Sequence, residues 1–223
     1  MSTAILRAQF ESVLVDVTRR VSTVLPTGIA NLDALTGGLP RGAITEVFGP
    51  PSSGRTSIAL AILAAATAQE EVCALMDGRD AFDPASGASA GIDLQRLLWV
   101  RCHDVDQALR STDLLLQGGG FGLAALDLSD LPEKAVRRIP LAAWFRFQRV
   151  IEKTPTVLLL IGTESAAKSA ASLVLRMNES HVDWRGNLLA GSRLNIEIPR
   201  LRNPNSAFRI PKFSHDVSRY SRP

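Results

Sequence analysis

The stretch Gly49-Pro50-Pro51-Ser52-Ser53-Gly54-Arg55-Thr56 constrains this 223-residue chain more than any other. It follows an apolar run containing Ile44, Val47 and Phe48. It leads into Ser57–Ala66, whose alanine, leucine and isoleucine content reads as a helix. Strand, glycine-bounded loop and helix together form the context that a phosphate-binding loop needs. Backbone N–H groups of such a loop and of the helix start converge on an anion, and a hydroxyl at the last position holds Mg²⁺. Thr56 supplies that hydroxyl, but the usual lysine before it is replaced by Arg55.

Runs of similar character recur down the chain. Val72–Asp77 and Leu123–Asp127 are short apolar segments that each end in an aspartate, as expected of buried parallel strands with an acid at the ligand-gathering carboxyl edge. Leu97–Val100 and Thr156–Ile161 read as further strands, and Asp104–Gln117 and Leu141–Lys153 as helices. In the second helix Leu141, Trp144, Phe145, Val150 and Ile151 are the expected core face, with Arg146, Arg149 and Lys153 beside it. Aromatics interleaved with arginine also suit a nucleic-acid face. Ser172–Met177 and Leu194–Ile198 read as strands around a turn at Asp183–Asn187. The alternation predicts an α/β fold with a mainly parallel twisted sheet, helices on both faces and an antiparallel edge.

At the amino end Leu6, Phe10, Val13, Leu14, Val17 and Val21 recur at steps of three and four, predicting an amphipathic helix over residues 1–23. The core is expected over 24–213 and a basic flexible tail over 214–223. The chain carries a net charge of +3, yet the residues from Pro199 onward hold a local excess of five positive charges, a pattern that attracts phosphates or an acidic partner. Cys73 and Cys102 read as buried reduced thiols, and His103, His181 and His215 are too scattered to suggest a metal site. The longest apolar run is far short of the ~20 residues of a membrane span, so the expected location is the cytoplasm.

Several segments besides the loop, in order and spacing, resemble the ATPase core of the RecA recombinase family. These are Thr27-Gly28 to Leu32-Asp33, Gly37-Gly38-Leu39-Pro40, Glu46 to Pro50, Ser52-Ser53-Gly54, Asp77, Ala81-Phe82-Asp83-Pro84 and Gly91-Ile92-Asp93. The resemblance implies a RecA-like phosphate-loop core. It implies ATP with Mg²⁺ as cofactors, contacts from the loop residues and Asp83 to the nucleotide, and Mg²⁺ held by Thr56 and Asp127. It also places Arg200 and Arg202 where the family has two cations that reach a neighbour's nucleotide.

The departures from that family concern catalysis. Arg55 stands for the lysine that bridges the β- and γ-phosphates, and a planar guanidinium does not replace a compact ammonium cleanly. Arg79 stands for the catalytic glutamate, and an arginine cannot accept a proton. Asp80, next to it, is the available substitute. Ser86 replaces the adenine-stacking tyrosine and Thr163 the γ-phosphate-sensing glutamine. The segments matching the DNA-binding loops, Asp130–Ile139 and Glu164–Ala171, are short.

These losses imply a degenerate member with weak or absent ATPase activity. The compact core looks like the ImuA-type accessory proteins of mutagenic translesion synthesis. That likeness implies a role in the DNA-damage response through RecA, a translesion polymerase subunit or another copy of the chain, with single-stranded DNA as a further ligand. A divergent DNA-dependent ATPase and a SulA-like inhibitor of cell division are the alternatives.

Overall fold

Alternating side chains on the strands send one set of apolar residues to each face of a single sheet, and this alternation positions every helix. The computed structural model describes residues 23–179, 181–185, 188–202 and 214–218. The helix expected over residues 1–23 lies outside them, Thr23 apart. In chain order the elements are β1 (Val24–Leu25), α1 (Ala30–Thr36), β2 (Leu39–Pro40), β3 (Ile44–Phe48), α2 (Arg55–Ala68), β4 (Cys73–Asp77) and α3 (Pro84–Ser89). They continue with β5 (Leu97–Arg101), α4 (Val105–Gly118), β6 (Leu123–Asp127), α5 (Glu133–Arg137), α6 (Leu141–Ile151) and β7 (Val157–Gly162). The last are β8 (Ala171–Met177), β9 (His181–Arg185), β10 (Leu188–Leu201) and β11 (Ser214–Ser218).

The strands β5-β4-β6-β7-β3-β8 run parallel in that spatial order. β10 then joins β8 antiparallel and carries both β9 and β11 antiparallel to itself. The expected mainly parallel sheet with an antiparallel edge is therefore present. Its register shifts between Glu197 and Arg200, where Pro199 has no N–H for the ladder. Two details differ from the sequence reading. Asp183–Arg185 belongs to β9 rather than to a turn, and Ser214–Ser218 adds a strand where a solvated tail was expected.

Cys73, Leu75, Leu123, Ala125, Leu159 and Ile161 face one layer, packed with Ile58, Ile62, Leu63 and Ala66 of α2. The intervening residues Ala74, Met76, Ala124, Leu126, Leu158 and Leu160 face the other, against Ala108 and Leu116 of α4 and Trp144, Phe147 and Ile151 of α6. Period two on the strands thus divides one sheet between two helical layers. α2 is apolar nearly all round because Leu25, Leu32 and Leu39 cover the side turned from the sheet.

The core face of α6 differs from the expected one. Trp144, Phe147 and Ile151 are buried at steps of three and four, whereas Leu141 and Phe145 are 40% and 38% exposed. Trp144 and Phe147 meet edge to face with centroids 6.0 Å apart. Arg146 pairs with Asp113 of α4 at 3.3 Å.

Candidate nucleotide site and its surroundings

The loop from Gly49 to Thr56 connects the end of β3 to the first turn of α2, at the carboxyl edge of the sheet. Gly49 cannot be replaced there, because a Cβ on it would collide with the Met177 carbonyl of the sheet. The chain turns through the left-handed region at Ser52 (φ 62°) and Gly54 (φ 90°), and Gly54 caps α2. The Ser53 N–H donates to the Pro50 carbonyl at 3.3 Å. Pro51, Ser52 and Thr56 are exposed, while Ser53 is buried and its hydroxyl has no partner among the described residues.

Arg55 is the residue around which this site is rearranged. Its side chain is buried, and Nη1 donates to the Gly49 carbonyl at 2.5 Å and the Gly162 carbonyl at 3.1 Å. One guanidinium thereby cross-links the ends of β3 and β7. Burial pulls the Arg55 pKa below its ordinary range, opposed by the negative charges of Asp127 and Asp130. The cation is consequently committed to protein carbonyls at the place where the resemblance requires one for phosphates. Leu194 of β10 also packs where a Cβ on Gly54 would point.

Asp127 ends β6 and pairs in register with Ile161, immediately before Gly162. Its carboxylate accepts the Ser129 N–H at 2.8 Å. Burial pushes the Asp127 pKa up, with Asp130 and Asp77 adding repulsion. A carboxyl so placed is a poorer Mg²⁺ ligand until a cation offsets its desolvation. Among the described residues no three His, Cys, Asp or Glu side chains cluster as a metal site.

Other candidate carboxylates are occupied. Asp77 accepts the N–H groups of Arg79, Ala81 and Phe82 at 3.3, 3.1 and 2.8 Å and the indole N–H of Trp99 at 3.2 Å, which fixes the β4–α3 connection. Asp80 forms a bidentate pair with Arg101 at 2.6 and 2.5 Å, and that partner holds its carboxyl below the ordinary carboxylate range. The pairing weakens Asp80 as a proton acceptor. Asp83 caps α3, accepting from the Ser86 hydroxyl at 2.6 Å and the Ser86 N–H at 2.9 Å. Those bonds lower its pKa. Ser86, in place of the stacking ring, thus serves the same cap. Arg79 is exposed and lines a cavity beside α4 and α5.

Segments matching the family's DNA-binding loops are tied down. Asp130–Ile139 contains α5, and residues 163–170 form a turn with Lys168–Ala170 in a 3-10 helix. Arg137 of α5 makes a bidentate pair with Glu164 of that turn and lowers its carboxyl pKa. Glu46 is buried on β3 and accepts from the Ser165 hydroxyl at 2.7 Å and from the Ala166 and Ala167 N–H groups at 2.6 and 2.9 Å. Three donors on one buried carboxylate satisfy its charge. Arg200 donates to the Lys168 carbonyl and Arg202 to the Ser169 carbonyl at 3.5 Å, so both grip this turn within one chain. Thr163 follows Gly162 and lines a second cavity.

Arg55 and Thr56 follow β3 and Asp127 ends β6, so the three lie at one edge of the sheet. The holding roles of Glu46, Gly162, Arg137 and Leu194 are visible only in the fold. Glu46 lay within the quoted motif and could have been suspected, since a carboxylate in a buried strand needs partners.

The RecA N-terminal domain model matches residues 11–132. Among curated proteins, Protein RecA of Symbiobacterium thermophilum is 40% identical over 106 residues, covering 47% of this chain and 30% of that protein. Protein RecA of Brucella anthropi is 39% identical over 105 residues, 46% of this chain and 29% of that one. The chain therefore matches about a third of the length of these relatives. The crystal structure of the RadB recombinase superposes with a TM-score of 0.64 at 19% identity, covering 86% of this chain and 94% of that one, a likeness of fold. Among the described residues no helix is long and apolar enough to cross a membrane. With the family model spanning more than half of its residues, the chain belongs to the RecA N-terminal domain family.

Proposed function

We propose that this chain is a RecA-like accessory protein that acts by binding other proteins and has little or no ATP hydrolysis of its own. The observation that carries the reading is the engagement of Arg55 by the Gly49 and Gly162 carbonyls. Held there, the guanidinium is not free to follow charge onto a γ-phosphate, and preorganised charge at that place is the main source of catalysis in phosphoryl transfer. Arg79 in the position of the proton-accepting glutamate removes the second requirement, since loss of a general base alone costs about 10²–10⁴ in rate.

The loop N–H groups and the exposed Thr56 hydroxyl still fit a phosphate with its Mg²⁺, which would supply charge neutralisation to a weakly held nucleotide. In this reading the Gly49–Thr56 loop is an anion site, Asp127 its distal carboxylate and Asp83 a helix cap. The ImuA-type role in translesion synthesis belongs to the same proposal. The partners are RecA, a polymerase subunit or a second copy in the cytoplasm, and single-stranded DNA is a secondary ligand. The divergent ATPase reading needs Asp80 as its base, and the Arg101 pairing weighs against it. Calorimetric titration of the protein with ATP·Mg²⁺, RecA and single-stranded DNA tests the proposal. It predicts measurable heat with RecA and weak heat with nucleotide. Tight nucleotide binding without any RecA binding would overturn it.

A further inference from the structure

Both flanks of the Gly49–Thr56 loop reach the same turn. On the strand side Glu46 accepts the Ser165 hydroxyl and the Ala166 and Ala167 N–H groups at 2.7, 2.6 and 2.9 Å. On the helix side Arg55 donates to the carbonyl of Gly162, the last residue before the turn. The turn is itself strained. Lys168 holds a left-handed φ of 46°, a conformation that side-chain-bearing residues keep only when their surroundings impose it. Arg200 pins the Lys168 carbonyl, and Arg137 ties Glu164 to α5.

The two bonds of Arg55 are unequal. Its Nη1 lies 2.5 Å from the Gly49 carbonyl and 3.1 Å from that of Gly162. The Gly162 carbonyl also accepts the Gly49 N–H at 3.3 Å, so the loss of Arg55 from it leaves no buried acceptor bare. A guanidinium bonds more strongly to phosphate oxygens than to a neutral carbonyl. Inside the loop, Ser53 is 1% exposed and its hydroxyl has no partner among the described residues. A buried hydroxyl of this kind lacks only an acceptor, which a phosphate oxygen would supply.

We propose that Arg55 is a latch between loop and turn: a polyphosphate seated in the loop draws the guanidinium off Gly162, and the strained turn loosens from β3 and α5. The shorter bond to Gly49 stays, so the cation remains tethered and does not follow charge through hydrolysis. The turn is one wall of a cavity of about 340 Å³ against α5, and occupancy of the loop thereby sets the shape of that surface. This latch rests on the reading of the loop as an anion site and adds a regulatory consequence to it. Linkage makes the effect reciprocal, so a change that loosens the turn must tighten anion binding.

Hydrogen exchange of the full chain, with Mg²⁺ and either sodium tripolyphosphate or ATP at millimolar concentration, tests the latch. Both anions should protect the amides of residues 52–57 and speed exchange at residues 163–170 about fivefold or more, Ala166 and Ala167 foremost. Arg55→Met should exchange fast at 163–170 from the outset, and tripolyphosphate should no longer change that rate while still protecting 52–57. Glu164→Ala, a surface change outside the loop, should raise the affinity for tripolyphosphate about twofold or more by releasing Arg137 from the turn.

Protection of 52–57 with exchange at 163–170 unchanged or slowed would overturn the latch and leave the anion site standing. No protection at 52–57 would overturn both. An effect confined to ATP would refute phosphate as the trigger, and unchanged affinity in Glu164→Ala would refute the reciprocal coupling.

Discussion

Arg55→Met removes the guanidinium while keeping most of the side-chain volume, and it isolates the cross-link between β3 and β7. In the wild type one nitrogen donates two bonds, to Gly49 at 2.5 Å and Gly162 at 3.1 Å, from a side chain that is 8% exposed. Hydrogen bonds from a charged donor contribute about 1.5–3 kcal/mol each, and a buried carbonyl left bare costs about 1–3 kcal/mol. Relief of burying the cation offsets part of the loss. The expected destabilisation is about 2–3 kcal/mol, which for a chain of this size lowers Tm by roughly 5–10 °C. Urea unfolding of both proteins at neutral pH, with m compared to verify equal exposure of surface, measures it. Hydrogen exchange at residues 162–171 should accelerate in the variant, because Gly162 leads into that turn. Stability within about 0.5 kcal/mol of wild type, the ordinary scatter of surface changes, would mean that Arg55 does not hold the two strand ends and is free to face a phosphate.

Other outcomes follow from the same geometry. Asp127 has a folded pKa above its unfolded value, so its protonation favours folding. That contribution is present at low pH and lost as pH rises through the folded value. Asp127→Asn should therefore raise Tm at pH 7, and the gain should shrink as pH falls through the raised folded value and vanish below about pH 4, as thermal scans across pH will show. Glu46→Gln presents an amide to three donors and should cost about 2–4 kcal/mol in urea unfolding. Burial pushes the Cys73 thiol up to about 12, so iodoacetamide at pH 8 should leave it unmodified in the folded protein and label it promptly in urea.

Much of the fold was legible because strand and helix periods are local. Leu123–Asp127 was bounded correctly from its apolar run and closing acid, and Asp104 was placed at the start of α4, where it caps the helix through the Gln107 N–H. The phase of α6 was less legible. Leu141, Trp144, Phe145, Phe147 and Ile151 are all apolar, and only packing against α4 and the sheet decides that Phe147 is buried while Phe145 is exposed. Ser214–Ser218 has little apolar alternation, so its pairing with β10 left no pattern to read.

At the site, residue types were visible and their partners were not. Asp77, Asp80 and Asp83 lie within seven residues, yet the first holds backbone N–H groups, the second Arg101 and the third Ser86. Arg55 was recognised as a departure, but its partner Gly162 is 107 positions away in the chain. Nothing local to Gly49–Thr56 announces that its cation is spent on a carbonyl of another strand.

Steady-state ATP turnover by the full chain, with and without single-stranded DNA and beside a RecA recombinase as control, tests the central claim most directly. The account predicts no turnover above background in either condition, with Arg55 held by the strand ends and Arg79 unable to accept a proton. DNA-stimulated turnover comparable to the control, abolished by Thr56→Ala and Asp127→Ala, would contradict it.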